Sequence, residues 1–343
     1  REALRDAQGL LTRTVTRVSA ALLEGSSVSF VGTASAGVDH VDLDHLSANG
    51  ICFASAAGCN AHAVGDYVLS AIGLCGRLEA VMEGATVGLV GYGNVGRQLA
   101  ARLVDLGAVV RVFDPFVSDF GVGIESADLQ KVLQCSVVSL HASLHSNEPD
   151  PSYHMIGLAE SSWISSDALL INAGRGNLLT VAAAEMLLLR GVDVVLDTWP
   201  DEPNVDPMLL AGVRFGTPHI AGYTQQSKIN ATDFLIDALA ASLGLPPSQR
   251  DPSGVGSGQV WALESTSSVS QTVTELVTRV GRLRQDDLHF RRRWSELATP
   301  ECFESQRREY VLRDQLNGLS VQLSKEKSGL RAKLLALGVS VRH

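Results

Sequence analysis

Apolar runs of four or five residues that stop abruptly at polar residues or glycine recur along this chain, alternating with longer stretches of helical periodicity. Residues 10–14 read as the end of a strand, Val18–Leu23 as a short helix closed by Gly25, and Phe30–Thr33 as another strand. Residues 51–60 read as a strand followed by a turn, and Ala63–Arg77 as a long apolar helix. Val87, Leu89 and Val90 predict a buried strand ending at Gly91, and Val95, Leu99, Leu103 and Leu106 recur at helical spacing until Gly107. Further strands are expected at Val109–Phe113, Val137–Leu140, Leu169–Asn172, Asp193–Leu196 and Val213–Phe215, with a helix capped by Thr180 running through Arg190 to Gly191. Such alternation predicts an α/β fold around a doubly wound parallel sheet. Polar and glycine residues sit at the carboxyl ends of the expected strands, the edge where such sheets bind ligands.

One stretch carries more than a fold. Gly91, Gly93 and Gly96 form G-x-G-x-x-G between a strand and a helix, and Asp114 closes the next strand about 20 residues on. The first glycine suits a tight turn, the second lets backbone N–H groups approach a pyrophosphate, and the third lets helix pack on strand. The helix start at Asn94 and Val95 then faces the anion. Asp114 would accept hydrogen bonds from ribose hydroxyls, and no Arg follows it to meet a 2′-phosphate, so this Rossmann-type domain is expected to bind NAD rather than NADP.

Composition narrows the class. The chain has 343 residues, 45% hydrophobic and 19% charged, enough for two or three domains with cores. No apolar run reaches the roughly 18 residues that a bilayer crossing needs, and the five cysteines include no C-x-x-C pair, which suits a reducing cytoplasm. A net charge of −9 argues against a nucleic-acid or membrane partner. Residues 1–245 carry 13 basic and 26 acidic side chains, whereas residues 246–343 carry 15 and 11, so a boundary is expected near 245, followed by a Pro/Gly/Ser linker over 246–258. Beyond it, Ser268–Leu283 has helical periodicity, Arg291–Arg293 is a basic cluster and Arg307–Leu319 is charged and amphipathic. That region reads as a module for association more than for chemistry. Residues 37–45 gather three Asp and two His, but their alternation with Val41 and Leu43 fits a capped, half-buried helix, and no metal is expected.

Oxidising a secondary alcohol with NAD needs a base near neutral pH, for which histidine is best matched. His219 follows a strand end and a proline; Glu202, on the loop after the preceding strand, would orient the imidazole and favour its protonated form; Arg175, between two glycines, would grip a carboxylate with its planar fork. Singly, each has a plain alternative: a packed histidine, a solvated loop acid, a surface arginine.

Together they resemble the D-2-hydroxyacid dehydrogenase family, in which an N-x-x-R-G turn, a D-x-x-x-x-E-P loop and a P-H-x-x-G segment supply the catalytic set. Asn172–Gly176, Asp197–Pro203 and Pro218–Gly222 match in order and type. Within that family, residues 30–42, 57–61, 90–99 and 217–224 and the extra C-terminal region resemble the branch that oxidises the 2-hydroxyl of 4-phospho-D-erythronate to 2-oxo-3-hydroxy-4-phosphobutanoate in vitamin B6 synthesis. The resemblance implies a flavodoxin-like substrate domain (1–62 with 223–245), an NAD-binding domain (63–222) and a small α+β domain (246–343) that makes a homodimer. It implies His219 as acid/base, Glu202 as its partner and Arg175 as carboxylate clamp. Thr14, Ser35 and Tyr223 would contact a small phosphorylated 2-hydroxy acid, with Arg13 added here for the phosphate. Asp114, Ala142, Asp197 and Gly222 would line the NAD site, together with Ala173 and Gly174 beside Arg175. His141-Ala142-Ser143 departs from the family's usual His-Thr-Pro, Gly174 from a common Cys and Ser35 from Thr. Relatives have about 30 further residues, one strand and one helix, before the segment at Leu10, so the chain is expected to be a fragment. A 3-phosphoglycerate-type dehydrogenase and an NAD-binding sensor or corepressor on the same fold stay open as alternatives.

Overall fold

The computed structural model describes residues 2–35, 37–246, 260–264, 268–324 and 327–342, and among these described residues thirteen short strands, all paired in parallel, carry the architecture. They fall in two compact units, residues 1–60 with 224–256 and residues 61–223 with 257–343.

In the first unit β1 (Gly9–Thr12), β2 (Phe30–Thr33) and β3 (Cys52–Ser55) form a parallel sheet in that order. Val18, Leu23, Val28, Val31, Val41 and Leu46 make its core. The short helix begins at Ala20 rather than Val18, because Val18 pairs with Val41 in a lone β-bridge. In the acid-rich segment, Asp42 caps the helix Leu43–Ala48 by accepting the His45 N–H at 3.0 Å. The long helix Gln225–Ser242, capped by Thr224, completes this unit.

The second unit is built on seven parallel strands: β4 (Thr86–Val90), β5 (Val109–Phe113), β6 (Ile124–Ser126), β7 (Val137–Leu140), β8 (Leu169–Asn172), β9 (Asp193–Leu196) and β10 (Phe215–Gly216). Their order, β10-β9-β8-β7-β4-β5-β6, reverses direction between β4 and β7, and a crevice opens at the carboxyl ends of strands at such a switch point. Strands β4, β7, β8, β9 and β10 are buried on both faces, which is why they read as continuous apolar runs, whereas β5 alternates buried and more exposed positions and β6 lies at the exposed edge. The expected helix from Ala63 to Arg77 is two helices, Ala61–Leu74 and Leu78–Met82, separated at Gly76, whose φ of 69° takes the chain out of the helical region.

The described residues from 260 onward pack into this same unit. β11 (Val260–Leu263), β12 (Ser320–Leu323) and β13 (Ser340–Arg342) make a small parallel sheet, and the Ser268-capped helix Val269–Gly281 lies along Ala61–Leu74, with Gly73 and Gly281 admitting close approach. The linker expected at 246–258 lies outside the described residues from 247 on. A buried ion pair, Arg102–Asp66 at 2.7 Å, receives the Leu316 N–H on its second carboxylate oxygen and donates to the Leu337 carbonyl. The basic cluster is also structural in part. Arg291 bonds Asp287, which caps the Gly216 N–H of β10, and donates to the carbonyls of Leu210 and Val213. Of the amphipathic stretch 307–319 only the first two residues are helical, as the end of Pro300–Arg308; beyond them the Leu316 backbone N–H is given to Asp66 and the Arg313 side chain to the Ala221 carbonyl. No described helix is long and apolar enough to cross a membrane.

Candidate active site

At the switch point, the end of β4 meets the end of β7. Gly91 has φ 99°, and a Cβ placed there would lie 2.5 Å from the Ala142 nitrogen; at Gly96 it would lie 2.2 Å from the Gly91 carbonyl oxygen. Both positions are closed to any side chain. At Gly93, the residue before the helix Asn94–Leu106, the same Cβ would meet nothing within 4 Å. The turn is therefore packed tightly beneath and open above, as a pyrophosphate cradle must be. Asp114 fixes it from the side, accepting the N–H of Tyr92 at 2.7 Å and of Phe116 at 3.0 Å. A cavity of about 300 Å³ lies between Asp114, Phe116, Ala142 and His145, a space suited to an adenosine. These residues fit a bound dinucleotide. His141, just before this wall, is bonded to Ser139 through Nε2 at 2.8 Å while its buried Nδ1 has no partner among the described residues; burial lowers its pKa to about 4.

The Arg175 turn is held by Asn172. This buried side chain accepts from Gly174 N–H at 3.2 Å and Thr198 Oγ1 at 3.0 Å and donates to the Arg175 carbonyl at 2.9 Å. That is a physical reason for the N-x-x-R-G spacing. Ala173 and Gly174 lie between, and a Cβ at Gly174 would come 2.7 Å from the Leu140 carbonyl oxygen.

His219 and Glu202 meet. Nδ1 of the imidazole is 2.6 Å from Glu202 Oε1, and Oε2 accepts the Trp199 N–H at 3.0 Å. Burial alone would raise the Glu202 carboxyl, but the field and hydrogen bond of His219, the Trp199 N–H and the charge of Arg307 bring it below its ordinary pKa. His219 itself has φ 55°, an uncommon value for a residue with a side chain. Asp197 enforces it. Its backbone carbonyl accepts His219 N–H at 2.7 Å, and its carboxylate takes Thr217 Oγ1, Ile220 N–H and Ala221 N–H at 2.6, 2.7 and 2.9 Å. Burial raises the Asp197 carboxyl despite these bonds and the neighbouring imidazole. Asp197 is 1% exposed and its carboxylate is turned to the His219 loop, so its visible work is to shape that loop. Gly222 and Tyr223 follow on the same loop, and Tyr223 receives a hydrogen bond from Arg307 at 3.3 Å.

Arg13, Thr14 and Ser35 lie in the first unit. Arg13 and Thr14 are exposed after β1, and Arg13 borders a cavity of about 360 Å³ with Thr12, Thr16, Ala34 and Thr232. Ser35 bonds Thr33 Oγ1 at 2.8 Å and donates to the Gly37 carbonyl. Sequence reasoning missed Lys228 in this unit. Its pKa is lowered by partial burial and then by the charge of Arg13. It also missed Arg307 and Arg313. A long-range contact leaves no local pattern by which to find any of the three.

Residues 76–221 match the family model described as D-isomer specific 2-hydroxyacid dehydrogenase, NAD binding domain. An erythronate-4-phosphate dehydrogenase of Marinomonas sp. (strain MWYL1) is 36% identical, the alignment covering 94% of this chain and 87% of the relative. One from Azotobacter vinelandii is 38% identical over 98% and 90%. Among solved structures, D-mandelate dehydrogenase of Rhodotorula graminis superposes with a TM-score of 0.62 at 21% identity, covering 73% of this chain and 86% of that one. D-lactate dehydrogenase from Aquifex aeolicus, complexed with NAD and lactic acid, superposes at 0.59 and 21% identity, over 71% and 85%.

Proposed function

The chain belongs to the erythronate-4-phosphate dehydrogenases, within the D-isomer specific 2-hydroxyacid dehydrogenases, and from that premise we propose that it oxidises the 2-hydroxyl of 4-phospho-D-erythronate with NAD. The observation that carries the assignment of roles is the 2.6 Å contact between His219 Nδ1 and Glu202. With Nδ1 donating to the carboxylate, Nε2 is the basic nitrogen and takes the hydroxyl proton as the carbonyl forms. Glu202 holds the ring in that tautomer and stabilises the imidazolium. Arg175 grips the substrate carboxylate through its fork. Thr14, Ser35 and Tyr223 contact the substrate, and Arg13 meets the phosphate.

Gly91, Gly93, Asn94, Val95 and Gly96 cradle the pyrophosphate of NAD, Asp114 accepts from the ribose, and Ala142, Ala173, Gly174, Asp197 and Gly222 line the remainder. When bound, NAD supplies the acceptor for the hydride from C2. The balance is one hydroxy acid and NAD⁺ giving one 2-oxo acid, NADH and a proton. In this reading the C-terminal region, residues 246–343, makes the homodimer. Five free cysteines fit a cytoplasmic setting.

NADH formation from 4-phospho-D-erythronate, 3-phosphoglycerate and D-lactate tests the substrate. A strong preference for the first is expected. Preference for another acid would overturn the substrate, and turnover of none with tight NADH binding would favour a sensor.

A further inference from the structure

Two arginines of the C-terminal segment reach the loop that carries His219 and Tyr223. Arg313 is 2% exposed, and its guanidinium donates to the carbonyls of Ala221 at 2.6 Å, Ala63 at 2.8 Å and Tyr223 at 3.2 Å. Arg307, in the last turn of the helix Pro300–Arg308, pairs with Glu304 at 2.8 Å and directs Nη2 to the Tyr223 hydroxyl at 3.3 Å. The guanidinium carbon lies 6.0 Å from the centre of the Tyr223 ring and 5.9 Å from that of Phe303. On another side Tyr310 meets the Tyr223 ring edge-on at 6.2 Å, its own hydroxyl engaged with Asp286 at 2.7 Å. Backbone, ring and hydroxyl of Tyr223 are thus all touched by one segment.

The polarity of the Arg307 contact has a chemical consequence. A guanidinium has donors and no acceptor, so Tyr223 Oη accepts from it, and the tyrosine's proton is presented elsewhere as a donor. A charged donor on a phenol oxygen also strengthens the hydrogen bond that the phenol gives. We infer that Arg307 is a positioning residue of the reaction: it aligns and polarises the Tyr223 hydroxyl as a hydrogen-bond donor to an anionic oxygen of the substrate. This rests on the proposed function, in which Tyr223 contacts the substrate. The charge of Arg307 also acts on Glu202, so the helix Pro300–Arg308 feeds the catalytic pair as well as Tyr223.

A double-mutant cycle over Arg307→Met and Tyr223→Phe tests it, with KM for 4-phospho-D-erythronate, kcat, NADH affinity and the thermal midpoint as readouts. Arg307→Met should raise KM about 10-fold with NADH affinity unchanged. In the Tyr223→Phe background the same substitution should add little, and Arg307→Lys, still a donor, should recover part of the loss. Additive effects on KM, or a fall in NADH affinity that tracks the thermal midpoint, would overturn the proposal. If the wild type turns over none of the three acids, oxalate binding to the NADH complex, measured by calorimetry, replaces KM in the same cycle. Non-additive loss of oxalate affinity then supports Arg307 while the substrate assignment falls, and no oxalate binding by the wild type overturns both.

Discussion

Glu202 divides its carboxylate between two partners, His219 Nδ1 at 2.6 Å on one oxygen and the Trp199 N–H at 3.0 Å on the other. The second bond fixes the acid so that the first can fix the ring. Glu202→Gln keeps the shape and one acceptor but removes the charge that, in the proposed mechanism, stabilises the imidazolium. The kcat should fall about 100-fold or more, with NADH binding intact by fluorescence titration. A kcat within a factor of two of wild type would remove Glu202 from the mechanism.

Arg175 stands on a turn buttressed by Asn172, which bonds Gly174 N–H and the Arg175 carbonyl, so the guanidinium starts from a fixed backbone. Arg175→Lys keeps the charge and loses the planar fork. The expected outcome is a drop in kcat/KM of about 10- to 100-fold for every 2-hydroxy acid turned over. Unchanged kcat/KM would show that the carboxylate is held elsewhere.

The local geometry around these two residues was legible in sequence because each lies in a short motif after a strand, and the motif's spacing has a local cause. The Asn172 side chain spans its own turn, and Glu202 reaches back three residues to Trp199 N–H. Asp197 was legible as a position but not as a device, since its bonds to residues 217–221 depend on β9 and β10 lying side by side. Arg307 was not legible at all. It read only as the first residue of a charged, amphipathic stretch to Leu319, whereas it closes the helix Pro300–Arg308 and its partner Tyr223 lies far away in sequence. Lys228, on a helix of the first unit, was hidden likewise, because nothing near it in sequence marks the influence of the Arg13 charge on it.

His141 makes stability depend on pH. Burial holds its pKa at about 4, against 6.5 for the unfolded chain, so between these values the unfolded state binds the extra proton. The contribution is fully present above pH 6.5 and is lost as pH falls toward 4, by at most about 3 kcal/mol. Urea midpoints measured from pH 7 to 4.5 should fall more steeply for the wild type than for His141→Gln. Parallel slopes would show that other groups set the acid limb.

In the proposed NAD site, the glycine turn allows folding and cofactor binding to be tested separately. A methyl at Gly91 would lie 2.5 Å from the Ala142 nitrogen, on a backbone with φ 99°, so both space and conformation oppose it. Gly91→Ala should therefore cost about 2 kcal/mol or more and lower the thermal midpoint even without NADH. At Gly93, φ is −76° and a Cβ meets nothing within 4 Å. Gly93→Ala should leave the free protein's midpoint within about a degree of wild type, since the added methyl meets neither strain nor a neighbour. It occupies the space a pyrophosphate needs, so NADH affinity should drop about 10-fold or more and the stabilisation by saturating NADH should shrink with it. Wild-type NADH affinity in Gly93→Ala would mean that the phosphates do not cross above this residue.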